Sequence, residues 1–224
     1  MCFRMQSTRP GDMETAIRRW VTRSLFPEGM LLQEVQAQTL PTHPVVFDSA
    51  LLPADWGLRP DWAERSGRSN EGRLFTLNCV AEEMFDKPSF KRLAPVARCL
   101  IPLDHFVEWR HEDDGTTTRY HLKLKDGEPT YLGGLCQLFE DGFYFTVCTI
   151  PANEQMRYIH NTKKRMPLFV RENDYDRWMT PGPEEQIADL LIPNDGLPLD
   201  AVAQPKEPTV VKPKKVLPKQ ETLF

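Results

Sequence analysis

The sequence lacks three features that would assign it to a common class of protein. It contains no run of about 18 apolar residues, the length that a membrane-spanning helix requires, and no apolar stretch near its start of the kind found in secretory signals. It has no excess of basic residues, because 28 lysines and arginines stand against 32 aspartates and glutamates, for a formal net charge of −4. We therefore expect a cytoplasmic protein that does not contact membranes. Any nucleic-acid site must be local, since its affinity cannot come mainly from general attraction to phosphates.

The cysteines lack the pattern of a disulfide framework or of a zinc site. The five cysteines are odd in number and widely spaced, and none of them forms a Cys-x-x-Cys pair. Four lie among apolar residues and are predicted to be small core residues: Cys79, Cys99, Cys136 and Cys148. The sequence predicts no metal ion and no cofactor.

What the sequence does have is a succession of short apolar segments separated by turn residues. A one-sided apolar pattern predicts a helix over residues 12–26. Strands are predicted over residues 31–38, 45–48, 74–80, 98–109, 120–124, 131–139 and 143–150, and short helices over 153–159, 172–179 and 183–191. The last two strands flank Glu140-Asp141-Gly142, a good hairpin turn. This order predicts an α+β fold, with a mostly antiparallel sheet or partly closed barrel and peripheral helices.

The composition changes after residue 192. Prolines recur among lysines and small residues from Pro193 onward, without a periodic apolar pattern. Such a segment cannot bury enough apolar surface to offset its ordering entropy. We therefore predict one domain over residues 2–192 and a disordered tail over residues 193–224.

Cys2 attracts attention because removal of Met1 would make it the first residue of the mature protein. An α-amine has a pKa of about 7.7 to 8.0 and a cysteine thiol one of about 8.5, so both groups are nucleophilic near neutral pH. An aldehyde would be attacked first by the amine, giving an imine, and then by the thiol, closing a thiazolidine ring. An internal cysteine cannot do this, since its nitrogen is already an amide. The competing interpretation is an ordinary residue at a frayed terminus.

Three polar residues stand out because each lies within or beside an apolar strand or helix pattern. They are Asn78, Glu108 and His160. Glu108, between Val107 and Trp109, either faces solvent or is held in a pocket with a raised pKa, suited to proton transfer. A lone histidine is more often a structural residue than a functional one. Taken singly, none of the three indicates a site.

Taken together with Cys2, these residues belong to a series of short motifs that resembles one family. The motifs, in chain order, are Met1-Cys2-x-Arg4, Trp56-Gly57-Leu58-x-Pro60-x-Trp62, Asn78-x-x-x-Glu82, Arg98-Cys99-Leu100-Ile101-Pro102, Phe106-x-Glu108-Trp109, Thr149-x-x-Ala152-Asn153, Ile159-His160 and Arg165-Met166-Pro167. Their order resembles that of SRAP-domain proteins, the SOS response-associated peptidases, also called abasic site processing proteins. The resemblance spans roughly residues 2–180.

The resemblance implies recognition of abasic sites in single-stranded DNA and a covalent DNA–protein crosslink through the terminal cysteine. By position, the catalytic residues would be Cys2, Asn78, Glu108 and His160. Glu108 would move protons and hold the terminal amine, His160 would act as the acid for sugar opening and for reversal, and Asn78 would bind the cysteine or the opened sugar. The DNA contacts would come from Arg4, Trp62, Thr149 and Arg165, with Trp62 stacking on a base. The peptidase label of the family fits the loss of Met1. We expect a monomer.

The chain departs from the family pattern at several positions. Phe3 stands where glycine usually follows the cysteine, and Val80 stands where an arginine is typical. One phosphate contact is therefore either missing or supplied elsewhere, with Arg73 and Arg92 as candidates. The segment from His160 to Arg165 is longer than usual and adds two lysines. These changes concern the DNA contacts more than the catalytic residues.

The chain ends in a pattern that resembles a sliding-clamp-binding peptide. In Gln220-x-x-Leu223-Phe224, the glutamine would bond at the rim of the clamp and the two apolar residues would fill its pocket. An incidental terminus is the competing interpretation. If the motif is functional, the tail would bring the domain to replication forks, where abasic sites occur in single strands.

Two other functions compete with crosslinking. One is a cysteine-dependent hydrolase, an N-terminal-nucleophile amidase or peptidase that uses Cys2 with His160. It needs an acyl substrate and an oxyanion hole, and the sequence identifies neither. The other is a non-catalytic adaptor for DNA or for the clamp.

Overall fold

The computed structural model describes residues 4–6, 21–26, 33–125 and 130–205. The strands of this part of the chain are β1 (Arg4–Gln6), β2 (Arg23–Ser24), β3 (Glu34–Gln36), β4 (Thr42–Phe47), β5 (Ala50–Trp56), β6 (Asn78–Val80), β7 (Arg98–Leu103), β8 (His105–His111), β9 (Thr117–Leu124), β10 (Thr130–Phe139), β11 (Gly142–Pro151), β12 (Arg165–Pro167) and β13 (Leu199–Ala203). Its α-helices are Asp61–Arg65, Ser69–Leu74, Glu154–Ile159 and Tyr175–Met179. Single 3₁₀ turns span Ala37–Thr39, Ala81–Glu83, Glu172–Asp174, Glu184–Gln186 and Ala188–Leu191.

Five strands close into a barrel. β11, β10, β7, β4 and β5 pair antiparallel in that order, and a parallel pairing of β5 with β11 completes the circle. The aromatic rings of Trp56 and Phe145 stack inside it with centroids 5.5 Å apart, and the Trp56 indole N–H donates to the carbonyl of Leu77 at 2.8 Å. This fixes the chain just before β6, which pairs with β11 at the barrel surface.

A second sheet has the order β13-β9-β8-β1-β3. All of its pairings are antiparallel. Met5, Phe106 and Leu122 are fully buried and lie in register across β1, β8 and β9, so one face of this sheet packs into the core. The sheet carries Glu108 and Arg4, whereas β6, β11 and β12 carry Asn78, Thr149 and Arg165.

The predicted fold class is confirmed. The protein is α+β, mostly antiparallel, with a closed barrel and short peripheral helices. The hairpin at residues 140–142 joins β10 and β11, which pair from Gly134↔Val147 to Phe139↔Gly142. All four cysteines predicted to lie in the core are buried, and they form no disulfide bond with one another.

Several predicted boundaries are wrong. Residues 98–109 are not one strand but two, because the chain leaves the barrel at Asp104, whose N–H donates to the carbonyl of Gln6 at 2.8 Å. Only residues 78–80 of the predicted strand 74–80 are extended, and Leu74 ends a helix. The strand predicted over 45–48 begins at Thr42 instead. Within residues 31–38 only Glu34–Gln36 are extended, and a 3₁₀ turn follows.

Other elements escaped sequence reasoning. β5 and the two helices between Asp61 and Leu74 were not predicted. Of the helix predicted over residues 12–26, residues 12–20 lie outside the described part, and Arg23–Ser24 form a strand beside β5. β13 lies in the segment assigned to the tail, and its pairing with β9 buries Leu199. Composition alone missed it because Pro198 and its neighbours resemble a linker. Cys2, Phe3 and the terminal residues Gln220, Leu223 and Phe224 lie outside the described residues.

Among the helices that the structure describes, none combines the length and the apolar character needed to cross a bilayer.

Candidate functional site

Glu108 lies at the centre of β8 and is only 4% exposed. Burial raises the pKa of its carboxyl from 4.5 to about 7, an effect that the backbone N–H of Trp109 partly opposes. A carboxyl with such a pKa is present in both protonation states near neutral pH. It can therefore accept or donate a proton within one reaction.

His160 follows directly after the helix Glu154–Ile159. That helix begins where the Asn153 side chain accepts a hydrogen bond from the N–H of Met156 at 2.9 Å. The His160 Nδ1 lies 2.8 Å from the carbonyl oxygen of Arg165. Since a carbonyl only accepts, Nδ1 carries the proton and Nε2 is the unprotonated nitrogen of the neutral ring. Burial lowers the pKa of His160, so the neutral form predominates at neutral pH.

Two contacts tie the segment around His160 to the end of β8 beyond Glu108. Arg110 donates to the carbonyl of Tyr158, and its guanidinium lies 3.9 Å from the centroid of the Tyr158 ring. The Asn161 side chain accepts from the N–H of His111 at 3.1 Å and donates to the His111 carbonyl at 2.7 Å. The lengthened segment between His160 and Arg165 is thereby anchored at its start.

Asn78 begins β6, opposite Val147 of β11. Both polar atoms of its side-chain amide are buried, and among the described residues neither has a hydrogen-bond partner. A buried amide left in this condition costs about 1 to 3 kcal/mol. A buried amide without hydrogen-bond partners is typical of a position where a bound ligand or another part of the chain supplies those partners.

Arg165 and Thr149 are brought together on β12 and β11. The Arg165 guanidinium donates to the backbone carbonyl of Thr149, and the Thr149 hydroxyl donates to the carbonyl of Cys79 at 3.2 Å. Arg165 also forms a two-pronged pair with Glu82, at 2.6 and 2.8 Å. Glu82 had been given no role from the sequence, although it is part of the motif Asn78-x-x-x-Glu82.

Arg4 lies on β1, between β3 and β8. Its guanidinium donates to Glu34 at 3.2 Å and to Gln36 at 3.3 Å, and it lies 5.3 Å from the centroid of the Trp109 ring. Arg4 is thus held beside Trp109, on the face of the sheet opposite to that of Glu108.

Trp62 lies on the helix Asp61–Arg65, where 43% of it is exposed. Its ring meets that of Phe75 edge-on, with centroids 6.1 Å apart, and Phe75 is 77% exposed. Sequence reasoning did not select Phe75, because an apolar residue in a predicted strand is expected to be buried. The two rings form an exposed aromatic pair.

The two replacements suggested for the missing arginine at Val80 differ in their accessibility. Arg73 is buried, and its guanidinium donates to the carbonyls of Gly57 at 3.1 Å and Trp56 at 3.0 Å. Arg92 is exposed and pairs with Asp61 at 3.3 Å. The expectation for Arg73 is therefore wrong.

The sequence matches the family described as SOS response associated peptidase (SRAP) over residues 1–206. The chain belongs to the SRAP family. This match includes β13, in agreement with the pairing of that strand in the SRAP domain.

The SRAP chain is similar to two curated proteins of Bacillus subtilis (strain 168). The abasic site processing protein YoaM is 30% identical over 152 residues, which cover 65% of this chain and 64% of YoaM. The abasic site processing protein YoqW is 32% identical over 155 residues, which cover 65% of each chain. The chain thus spans slightly less than two thirds of the relatives that it matches.

Solved structures show the same fold. A protein from Bacteroides thetaiotaomicron has a TM-score of 0.79 and 30% identity, with 90% of this chain and 91% of that chain covered. A protein from Bordetella bronchiseptica has a TM-score of 0.71 at 19% identity, with 92% of this chain and all of that chain covered, and it shows the likeness of fold alone.

Proposed function

We propose that this SRAP protein recognises abasic sites in single-stranded DNA and bonds to them covalently through Cys2, after removal of Met1. The names of YoaM and YoqW, both abasic site processing proteins, support the proposal that the recognised lesion is an abasic site. The crosslink shields the abasic sugar from strand cleavage during the response to DNA damage.

The observation that carries this proposal is the direction of β1 beside β8. Met5 pairs with Phe106 and Gln6 with His105, so the N-terminal end of β1 points along β8 toward Glu108. Cys2 precedes Arg4 by two residues, and two residues of chain span at most about 7 Å. This direction supports assigning proton transfer at the terminal cysteine to Glu108, whose carboxyl has a pKa of about 7.

The proposed reaction needs only proton transfers and releases one molecule of water. The Cys2 amine adds to the C1′ aldehyde of the ring-opened sugar, and loss of water gives an imine. The thiol sulfur then adds to the imine carbon while the nitrogen takes up a proton, which closes the thiazolidine ring. Glu108 accepts the proton released by the attacking amine and returns it to the departing hydroxyl.

The other four cysteines are poor candidates for the nucleophile. All four are buried, and burial raises the pKa of Cys79 and Cys99 well above the usual value and that of Cys136 to about 12. A thiol that is buried and protonated reacts slowly. Their environment supports assigning the chemistry to Cys2.

His160 and Asn78 complete the proposed catalytic set. His160, whose Nδ1–H is held by the Arg165 carbonyl, takes up a proton at Nε2 and passes it on during sugar opening and during reversal of the crosslink. Asn78 offers a buried amide with both a donor and an acceptor for the sugar or the terminal cysteine. Arg4, Thr149 and Arg165 are assigned to the phosphates next to the lesion.

Base stacking is assigned to the exposed aromatic pair of Trp62 and Phe75. Stacking on an aromatic side chain contributes about 1 to 3 kcal/mol per base and tolerates any sequence.

Denaturing electrophoresis after incubation with an abasic single-stranded oligonucleotide tests the proposal. We expect a heat-stable shifted band in the protein that has lost Met1, verified by intact mass, and no band in Cys2→Ala. Glu108→Gln should slow formation of the band, and His160→Ala should mainly impair reversal or sugar opening. If the band is missing after complete removal of Met1, the proposal is wrong.

The same experiment separates the competing functions. A hydrolase that uses Cys2 and His160 would cleave an acyl substrate and leave the oligonucleotide unshifted. A non-catalytic adaptor would bind the oligonucleotide but release it on denaturation, in wild type and Cys2→Ala alike.

We further propose that the terminal segment Gln220 to Phe224 binds the bacterial sliding clamp, as its sequence indicates. Deletion of these five residues should abolish clamp binding in solution and leave crosslinking of free oligonucleotides unchanged. Unaltered clamp binding by the truncated protein would remove this assignment.

A further inference from the structure

A second cluster of chemically active side chains lies on the five-stranded sheet, on the face opposite to that of Phe106 and Leu122. It consists of Glu34 on β3, His105 on β8 and His121 on β9. The Nε2 atoms of both histidines lie 4.0 Å from Oε2 of Glu34, and all three atoms lie within 4.8 Å of one another.

The two imidazole rings lie nearly parallel, with centroids 4.0 Å apart and an interplanar angle of 15°. Both Nε2 atoms are buried, and among the residues that the structure describes neither has a hydrogen-bond partner. Two buried ring nitrogens that face one carboxylate oxygen are an unsatisfied arrangement for a purely structural cluster. Two imidazole nitrogens and a carboxylate oxygen within 4.8 Å of one another are donor types that a transition-metal ion accepts.

We propose that Glu34, His105 and His121 bind a divalent first-row transition-metal ion, with Zn²⁺ as the probe. Two imidazoles and a carboxylate form a donor set that such ions accept, whereas Mg²⁺ and Ca²⁺ prefer oxygen alone. This site shares Arg4, which bonds to Glu34, with the residues proposed to contact DNA, but its residues take no part in the proposed crosslinking chemistry.

The distances require only a small contraction. Bonds of about 2.0 to 2.2 Å in a tetrahedral site place neighbouring ligand atoms roughly 3.4 Å apart. The Nε2–Oε2 distances of 4.0 Å therefore shorten by about half an ångström on binding, and the two Nε2 atoms, which lie within 4.8 Å of each other, also move closer together. Rotation of two partly exposed side chains about their χ angles provides this movement.

The surroundings supply the other parts of a metal site. Oδ2 of Asp104 lies 3.9 Å from Nδ1 of His105, on the side of the ring away from Glu34, where a carboxylate orients a ligating histidine. A cavity of about 210 Å³ adjoins both histidines and is also lined by Asp104 and Asp200. Three protein ligands leave a fourth coordination position for water.

Arg119 competes with the proposed metal ion for Oε2 of Glu34. Its guanidinium donates to Oε2 of Glu34, the same oxygen that faces the two histidines. Arg4 bonds to the other oxygen, Oε1, and can remain there when a metal ion binds. The ion therefore displaces Arg119 from Oε2, and the proposal predicts that loss of the Arg119 charge strengthens metal binding.

Calorimetric titration of the full-length, chelator-treated protein with Zn²⁺ tests the site. We expect one site per chain in wild type and an affinity at least about tenfold lower in His105→Ala and in His121→Ala. His111→Ala, which removes an exposed histidine of the same strand, should bind as wild type does. Circular dichroism of each variant establishes that it is folded.

Cys2 could bind zinc through its own amine and thiol, so a Cys2→Ser variant is the second control. We expect it to keep the site, and Co²⁺ in the wild-type site should show no thiolate-to-metal charge-transfer band. Loss of binding in Cys2→Ser but not in the histidine variants would overturn the proposal, as would the absence of binding to wild type under excess Zn²⁺.

Arg119→Gln provides a test that does not depend on removing a ligand. We expect its affinity for Zn²⁺ to be at least about threefold higher than that of wild type, because the competing charge is gone. An unchanged or lower affinity in a folded Arg119→Gln protein would contradict the assigned geometry, even if a histidine variant fails to fold.

Discussion

Arg165 and Glu82 form a two-pronged ion pair, with nitrogen–oxygen distances of 2.6 and 2.8 Å. This pair holds the guanidinium against the carbonyl of Thr149, on the strand that also pairs with β6 and so adjoins Asn78. Because a guanidinium has five N–H donors, one face of Arg165 can contact a phosphate while Glu82 keeps its position. Glu82 is thus a positioning residue in the proposed DNA site.

Replacement of Arg165 by glutamine should weaken binding to single-stranded DNA and reduce its salt dependence. Loss of one phosphate contact lowers the slope of log K against log salt by about 0.7 for a single strand. Fluorescence anisotropy at several salt concentrations measures both quantities. Arg177→Gln is the matched control, because Arg177 pairs with Asp189 at 3.0 Å on a different helix. Equal slopes for the two variants would remove Arg165 from the phosphate contacts.

Glu108 should make the stability of the protein fall as the pH rises. Its pKa is about 7 in the folded protein and 4.5 in the reference state, so between these values the folded state binds a proton that the unfolded state releases. The associated stability is present below about pH 4.5 and is lost as the pH rises to about 7, by roughly 3 kcal/mol in total. Denaturant unfolding across this range should show the loss in wild type and not in Glu108→Gln. Parallel curves for the two proteins would mean that Glu108 is not held with a raised pKa.

His160 should be a neutral Nδ1–H tautomer at neutral pH. The bond to the Arg165 carbonyl requires the proton on Nδ1, and burial lowers the pKa from 6.5. Nitrogen chemical shifts of the ring, followed by NMR from pH 8 downward, should show this tautomer and a midpoint below about 6.5. The opposite tautomer would invalidate the proposed role of Nε2 in proton transfer.

Arg98 should be a major determinant of stability. Its buried guanidinium donates to four backbone carbonyls: Trp178 at 2.6 Å, Ala94 at 2.7 Å, Gly182 at 3.0 Å, and Thr180. Arg98→Met leaves these acceptors unsatisfied and should lower the free energy of unfolding by about 3 kcal/mol or more.

Arg68→Met is the comparison for this prediction. Arg68 forms an exposed pair with Glu71 at 3.7 Å, so its replacement should change the free energy of unfolding by less than about 0.5 kcal/mol. Similar losses in both variants, measured by denaturant unfolding, would contradict the assigned role of Arg98.

Local pattern predicted a substantial part of the fold. The hairpin between β10 and β11 was predicted because Gly142 and its acidic neighbours identify the turn, and its flanking strands are long and apolar. The helix Glu154–Ile159 was predicted within one residue, and the structure shows that Asn153 caps it. In contrast, the helices between Asp61 and Leu74 were missed, since each is barely more than one turn and shows little periodicity.

The sequence by itself determined the family, through the order of its short motifs, and the mostly antiparallel α+β class, through its apolar segments. Only the tertiary structure decided that the chain changes sheets at Asp104, so that Glu108 is buried on the second sheet beside β1. It also decided the pairing of Arg165 with Glu82. It brought Glu34 together with His105 and His121, which lie 71 and 87 residues further along the chain on other strands. Strand pairing between distant segments creates these contacts, and the periodicity of a single segment carries no information about its partner.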